Sequence, residues 1–177
     1  MFGQLITIRP YLDSDAPAHA EAVRESAASG QRWLEWMTED YPEQESLSWL
    51  QMSQLALAKN VAFDMGMFDR YNQQFVGGIA LNRIDWHYRV GNLGYWVRES
   101  CTNKGIASEA VRLFAENAFE AYQLRRIELV IAEHNLASRR VAEKVGAQFE
   151  ALARQRVTDN GQPCYAALYS LLPEDLS

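Results

Sequence analysis

The chain has 177 residues, 48% of them hydrophobic, with 17 Lys and Arg against 23 Asp and Glu. A net charge of −6 argues against phosphate-backbone binding as the main activity, because nucleic-acid sites need clustered cations to displace counterions; it suits a cationic partner instead. The apolar runs are too short to span a bilayer, no repeat is visible, and the length fits one domain over residues 1–177 that buries roughly two-thirds of its unfolded surface.

The N-terminal stretch MFGQLITIRP lacks the basic start, apolar core and cleavage site of a secretory signal, so a cytoplasmic protein is expected. Cys101 and Cys164 have no C-x-x-C spacing and read as reduced thiols, and no metal site is expected.

Leu5 to Arg9 alternates like a strand and stops at Pro10. Asp13 then offers an N-cap for a helix from Ala16 to about Ala28, ended by Gly30. Trp33-Leu-Glu-Trp36 and the acidic stretch Glu39 to Glu43 precede a second helix that reaches about Lys59, with Leu47, Leu50, Leu55 and Leu57 as core candidates. Val61–Asp69 and Phe75–Trp86 read as a hairpin joined by a polar turn, and Gly77-Gly78 predicts a bulge or a close backbone approach. Asp85 to Arg89 leads into a further strand, Gly91 to Arg98.

Next comes TNKGIASEA, residues 102–110, which opens an amphipathic helix carrying Ile106, Ala110, Leu113, Phe114, Ala118 and Phe119 on one face. Small residues at a helix entrance let backbone N–H groups approach an anion, and the helix dipole favours negative charge there. A pyrophosphate fits that description. The alternating segment Arg125 to Ala132 follows, and a βαβ crossover requires it to run parallel to the strand ending near Val97. The sheet is therefore expected to be mixed. Asn135 caps a short helix with Ala137, Val141 and Val145 on one stripe and Gly146 at its end. Phe149–Thr158 and Tyr165–Leu172 read as a closing hairpin around Asp159-Asn-Gly161.

Val97, Thr102-x-x-Gly105-x-Ala107 and Glu109-Ala110 together resemble the acetyl-CoA motif of the GNAT acyltransferases. Asn135-Leu-Ala-Ser138 with Glu143-Lys-Val-Gly-Ala147 is similar to that family's second cofactor segment. Leu168 to Pro173, together with Trp33-Leu-x-Trp36, resembles the RimJ/RimL branch, the ribosomal-protein N-terminal acetyltransferases. One departure is Thr102, where the family usually carries Gln or Arg. The resemblance implies an α/β (α+β) GNAT fold with a mixed sheet of about seven strands, a splayed parallel pair at the acetyl-CoA site, and about four flanking helices.

It also implies an N-acetyltransferase that moves an acetyl group from acetyl-CoA, its co-substrate, to a primary amine. By resemblance the acceptor is a protein N-terminal α-amino group, such as that of a ribosomal protein. The alternatives are a small amine (a polyamine, an amino acid or an aminoglycoside) and a CoA or acyl-CoA sensor without turnover. Backbone groups of Trp96, Val97 and Arg98 are expected to hold the thioester carbonyl and the pantetheine arm, beside a bulge that parts the parallel strands. Thr102, Asn103, Lys104, Gly105, Ile106 and Ala107 are the expected phosphate loop.

Asn135 is the implied ligand of the pantetheine arm and Ser138 the implied acid near the CoA sulfur, although a capping pair alone would explain both residues. Asp85, Glu133, His87 and His134 lie near expected strand ends, and Glu133 is the first to test as the base. Trp33 and Trp36 serve either core packing or the acceptor site, with Asp85 a further substrate candidate. No nucleic-acid or membrane partner is expected, and a homodimer is the default assembly.

Overall fold

A computed structural model describes residues 1–176. The chain forms β1 (Ile6–Pro10), α1 (Ala16–Gly30), α2 (Glu43–Ala58), β2 (Phe63–Asp69), β3 (Phe75–Asp85), β4 (Val90–Val97), α3 (Ile106–Ala121), β5 (Arg126–Ala132), α4 (Leu136–Lys144), β6 (Gln148–Asp159) and β7 (Gln162–Leu171). The strands make one sheet in the order β1-β2-β3-β4-β5-β7-β6, antiparallel at every step except between β4 and β5. No helix among the described residues is long and apolar enough to cross a membrane.

The main core lies under α3 and α4. Ala110, Val111, Phe114, Ala115 and Ala118 of α3 are fully buried against Ile79, Leu81, Leu93, Ile127 and Leu129 of the sheet. Alanines along this helix let it approach the strands closely, while Phe114 fills the space that remains. Glu109, in the first turn of α3, accepts from the backbone N–H groups of Gln4, Leu5 and Ile6 at 2.6, 2.9 and 3.1 Å, which ties the start of β1 to this helix. A second core on the opposite side joins Ala16 and Ala22 of α1 and Leu50 of α2 to Phe68, Phe75 and Trp96.

Several local expectations meet tertiary competition. Asp13 does not cap α1. A short 3₁₀ turn, Asp13–Asp15, precedes the helix, and the Asp13 carboxylate accepts instead from the side-chain amides of Gln51 and Gln54 on α2, both at 2.9 Å. Pro17, in the first turn of α1, has no N–H to be capped. At Gly77 both readings hold: the β2–β3 register slips by one residue there, and a Cβ on Gly77 would stand 2.2 Å from the Trp96 carbonyl oxygen. The Asp159-Asn-Gly161 turn has positive φ at Asn160 and Gly161, 48° and 72°, as a tight hairpin of the primed type requires.

The parallel pair is short. Val90, Gly91 and Asn92 pair with Arg126, Ile127 and Glu128, and there the pairing stops. Beyond that point β4 stays with β3 as far as Val97, while β5 stays with β7 as far as Ala132, so a wedge opens between them. The bulge expected at Trp96–Val97 is absent, because β4 pairs with β3 in unbroken register from Asn92 to Val97. The irregularity sits on the neighbouring strand, between Asn82 and Asp85, where Arg83 takes a φ of 49°. An extra residue there sharpens the local twist just before β4 and β5 part.

Candidate active site

The wedge opens into a cleft of about 1270 Å³ that runs from the N-terminus of α3 past α4 to the loop after α1. Strand alternation divides its walls. Leu93, Tyr95 and Val97 face the α3 and α4 side, and Asn92, Gly94 and Trp96 face the α1 and α2 side. The same alternation assigns the backbone groups. Arg98 N–H donates to Val76 O on β3 at 2.8 Å, and Arg125 N–H donates to Arg89 O at 2.8 Å across the parallel pair. Odd-numbered residues of β4 therefore point their N–H and C=O toward β5, and at Tyr95 and Val97 no strand is there to receive them.

That rule sorts the sequence candidates. The Val97 backbone faces the open wedge, whereas the Trp96 backbone faces β3 and its ring packs near His19, Trp36 and Phe75. Arg98 is turned away from the cleft. Its N–H is used by Val76, its carbonyl accepts from Cys101 N–H at 2.8 Å, and its guanidinium, almost fully buried, bonds Glu21 and Glu25 on α1. The guanidinium holds the Glu25 carboxyl down at about 2. Arg98 locks the end of β4 to α1 and leaves nothing for a ligand.

The loop before α3 has the geometry of an anion cradle. Asn103 and Gly105 take φ of 60° and 83°, and the helix starts with no side chain capping it. The N–H groups of Ile106, Ala107 and Ser108 precede the first intrahelical bond, from Glu109 N–H to Gly105 O at 3.0 Å. Thr102, Asn103, Gly105, Ile106 and Ala107 line the cleft. The Thr102 hydroxyl donates to Glu99 O at 2.9 Å, which braces the turn from within. Lys104 does not line the cleft; its ammonium donates to Ser100 O at 2.8 Å on the outer side of the loop.

Across the wedge, the Asn135 side chain accepts from Ser138 N–H at 3.1 Å, so the capping role is present. Ser138 also meets a group that the sequence reading missed. Its Oγ lies 2.9 Å from the Tyr95 hydroxyl, and burial pushes that phenol up to about 12 although the serine bond pulls it down. Alternation along β4, which puts Tyr95 on the helix-covered face with Val97, was the signal available. Arg140 and Lys144, four apart on α4, line the same wall and were also missed.

Trp33 lines the cleft, Trp36 does not. The Trp36 ring packs 6.0 Å from Tyr41 and 6.1 Å from Trp96. Trp33 is held by Arg32, whose guanidinium lies 4.5 Å from its ring and bonds Asp159 at the tip of the β6–β7 hairpin at 2.6 and 2.8 Å. Asp85 lies outside the cleft and accepts from Tyr88 N–H at 2.9 Å within a turn. Glu133 does not line it either; its N–H donates to Tyr165 O at 2.9 Å, and its carbonyl accepts from Arg139 at 3.2 Å. The carboxylate on the cleft wall is Glu99, which accepts from the Ser29 hydroxyl. Among the described residues no group of three or more His, Cys, Asp or Glu could hold a metal ion.

A family model described as an acetyltransferase (GNAT) domain matches residues 6–148. The chain is 30% identical over 161 residues to the probable N-acetyltransferase YjcK of Bacillus subtilis (strain 168), covering 90% of this chain and 89% of the relative. It is 26% identical over 155 residues to the ribosomal-protein-serine acetyltransferase of Escherichia coli (strain K12), covering 81% and 82%. Among solved structures, RimL, a ribosomal L7/L12 α-N-protein acetyltransferase in complex with coenzyme A, superposes with a TM-score of 0.89 over 97% of its chain and 99% of this one. At 22% identity that likeness speaks for the fold alone.

Proposed function

Because the chain belongs to the GNAT acetyltransferase family, we propose that it transfers the acetyl group of acetyl-CoA to the α-amino group of a protein N-terminus in the cytoplasm. The observation that carries this reading is the wedge between β4 and β5, with the unpaired backbone of Tyr95 and Val97 on one side and the Tyr95–Ser138 hydroxyl pair at its wall. The protein acceptor is supported by the relative that acts on a ribosomal-protein serine.

In this mechanism the amides at the start of α3 receive the phosphates of acetyl-CoA, and Arg140 and Lys144 add positive charge on the same wall. Val97 offers its N–H to the thioester oxygen, where negative charge grows as the amine attacks the carbonyl carbon. The carbon–nitrogen bond forms and the carbon–sulfur bond breaks. Tyr95 is un-ionised at neutral pH, and when it donates toward Ser138 the serine O–H is free to hydrogen-bond the departing thiolate, which takes its proton from water on release. The amine loses its proton to water in the cleft, and Glu99 is the wall carboxylate that collects it.

One contact favours a second reading, a small amine as acceptor. Trp33 lines the cleft, and the Arg32–Asp159 bridge ties the segment carrying it to the β6–β7 hairpin, a restraint that suits a compact substrate. Calorimetric titration with acetyl-CoA, followed by release of free CoA on adding N-terminal peptides and small amines, tests both. Turnover on a peptide supports the first reading and turnover on a small amine alone supports the second. Binding without turnover on any acceptor leaves a sensor, and absence of binding removes the loop at residues 102–107 as a cofactor site.

A further inference from the structure

The backbone donors on the two sides of Thr102 differ. Arg98 N–H donates to Val76 O at 2.8 Å, Cys101 N–H to Arg98 O at 2.8 Å and Thr102 N–H to Glu99 O at 3.1 Å. The two donors between them go to side chains of α1: Glu99 N–H to Ser26 Oγ at 3.0 Å and Ser100 N–H to Glu25 Oε1 at 2.9 Å. From Asn103 to Ser108, among the described residues, no N–H group meets a protein acceptor. The run of free amides thus begins where a fully bonded turn ends, and α1 completes that turn.

The two side chains of α1 are themselves fixed. Glu25 uses both oxygens, one on Ser100 N–H and the other on Arg98 Nε at 2.6 Å. Its carboxyl, held down at about 2 chiefly by that guanidinium, stays ionised throughout the neutral range. Ser26 is buried; its hydroxyl donates to Ala22 O at 2.7 Å and accepts from Glu99 N–H, so turning it away strands a backbone donor. The turn passes the restraint forward, because Ser100 O accepts from the Lys104 ammonium at 2.8 Å, one residue before Gly105. Thr102 gives no such forward tie, since its hydroxyl reaches back to Glu99 O at 2.9 Å. Glu25 does not line the cleft, and Ser26 borders it with its proton committed to Ala22, so both act on a ligand through the turn.

We propose that Glu25 and Ser26 are positioning residues for acetyl-CoA: from α1 they hold the turn at residues 98–102 so that the amides of residues 103–108 stand ready for its phosphates. The inference rests on the reading of residues 102–107 as the cofactor loop and deepens it. A cradle ordered before binding loses less freedom when the ligand arrives. Cutting its ties to α1 therefore weakens acetyl-CoA binding, while Val97 and Tyr95 keep their places on β4 and Ser138 its place on α4.

The test compares Glu25→Ala and Ser26→Ala with the parent by calorimetric titration with acetyl-CoA, by kinetics on the acceptor that turns over, and by thermal denaturation. Gly105→Glu serves as the control for the loop. In each alanine variant the acetyl-CoA dissociation constant and KM should rise about tenfold, the scale of one net hydrogen bond. The kcat at saturating acetyl-CoA and the KM for the acceptor should stay within a few-fold of the parent. A merely structural role would lower Tm and leave the affinity of the folded protein where it was. Ser26→Ala removes a single oxygen and carries the test should Glu25→Ala fail to fold. Parent-like acetyl-CoA affinity in the folded variants, with binding abolished in Gly105→Glu, would overturn this inference and leave the loop in place. A loss confined to kcat would overturn it as well. Binding that survives in Gly105→Glu, or its absence in the parent, would overturn the cofactor-loop reading itself, and this inference with it.

Discussion

Tyr95 of β4 and Ser138 of α4 share a hydrogen bond of 2.9 Å across the wedge, between residues 43 positions apart. The phenol also lies 3.3 Å from the Ser138 carbonyl oxygen; when it donates to the serine residue, the Ser138 O–H is the donor that remains to be aimed at a ligand. Ser138→Ala should lower kcat by about a hundredfold, within the range typical of a lost donor to developing charge, while the acetyl-CoA dissociation constant changes only a few-fold. Tyr95→Phe should give a smaller loss and leave the alkaline limb of the pH–rate profile in place, because the phenol does not ionise below about 12. An unchanged kcat in Ser138→Ala removes the serine from the mechanism.

Glu99 and Glu133 make a discriminating pair. Glu99→Gln should reduce kcat/KM most strongly at low pH, where the amine arrives protonated, and Glu133→Gln should leave it within a few-fold of the parent. The reverse order would return the base role to Glu133 and require that its side chain reach the cleft.

At Gly105 a Cβ would find only Leu5, at 3.6 Å, so Gly105→Ala adds backbone strain without bulk. The cost should be about 1–2 kcal/mol, read as a lower Tm with residual CoA binding. Gly105→Glu adds charge beside the free amides and should abolish CoA binding in calorimetry.

Gly94→Val should leave both Tm and CoA affinity near the parent values, since open space receives the side chain, but raise KM for the acceptor sharply. Equal losses of CoA and acceptor binding would mean that the two sides of the cleft are not separate.

His19 ties acid stability to the core beneath Trp96. Its Nδ1 lies 2.8 Å from the Ser46 hydroxyl, its Nε2 is buried without a partner, and burial lowers its pKa to about 4, with Asp15 acting the other way. The folded chain holds the ring neutral while the unfolded chain protonates it near 6.5. Stability should therefore be full above about pH 6.5, fall as pH drops toward 4, and lose at most about 3 kcal/mol through this group. His19→Phe should flatten denaturation midpoints across that window; an unchanged slope would assign it to other groups.

Much of this architecture is legible locally. Alternation and helical spacing give the strands and helices, Gly105 and its small neighbours give the loop, and Asn135 three residues before Ser138 gives the cap. Each rests on contacts within a few residues, where backbone sterics and hydrogen-bond spacing dictate the answer. Tertiary competition decided the rest. Asp13 serves α2 because two glutamine amides reach it, and Arg98 serves α1 because Glu21 and Glu25 lie beneath the end of β4.

The meeting of Tyr95 with Ser138 and the point where β4 leaves β5 depend on partners far away in the chain, as does the insertion of β7 between β5 and β6. Sequence alone determined the elements, the glycine-containing turn before α3 and the family resemblance, because those are properties of short stretches of chain. Which wall of the cleft each side chain faces was decided only by the fold, because strand pairing and sheet twist couple residues that no local pattern connects.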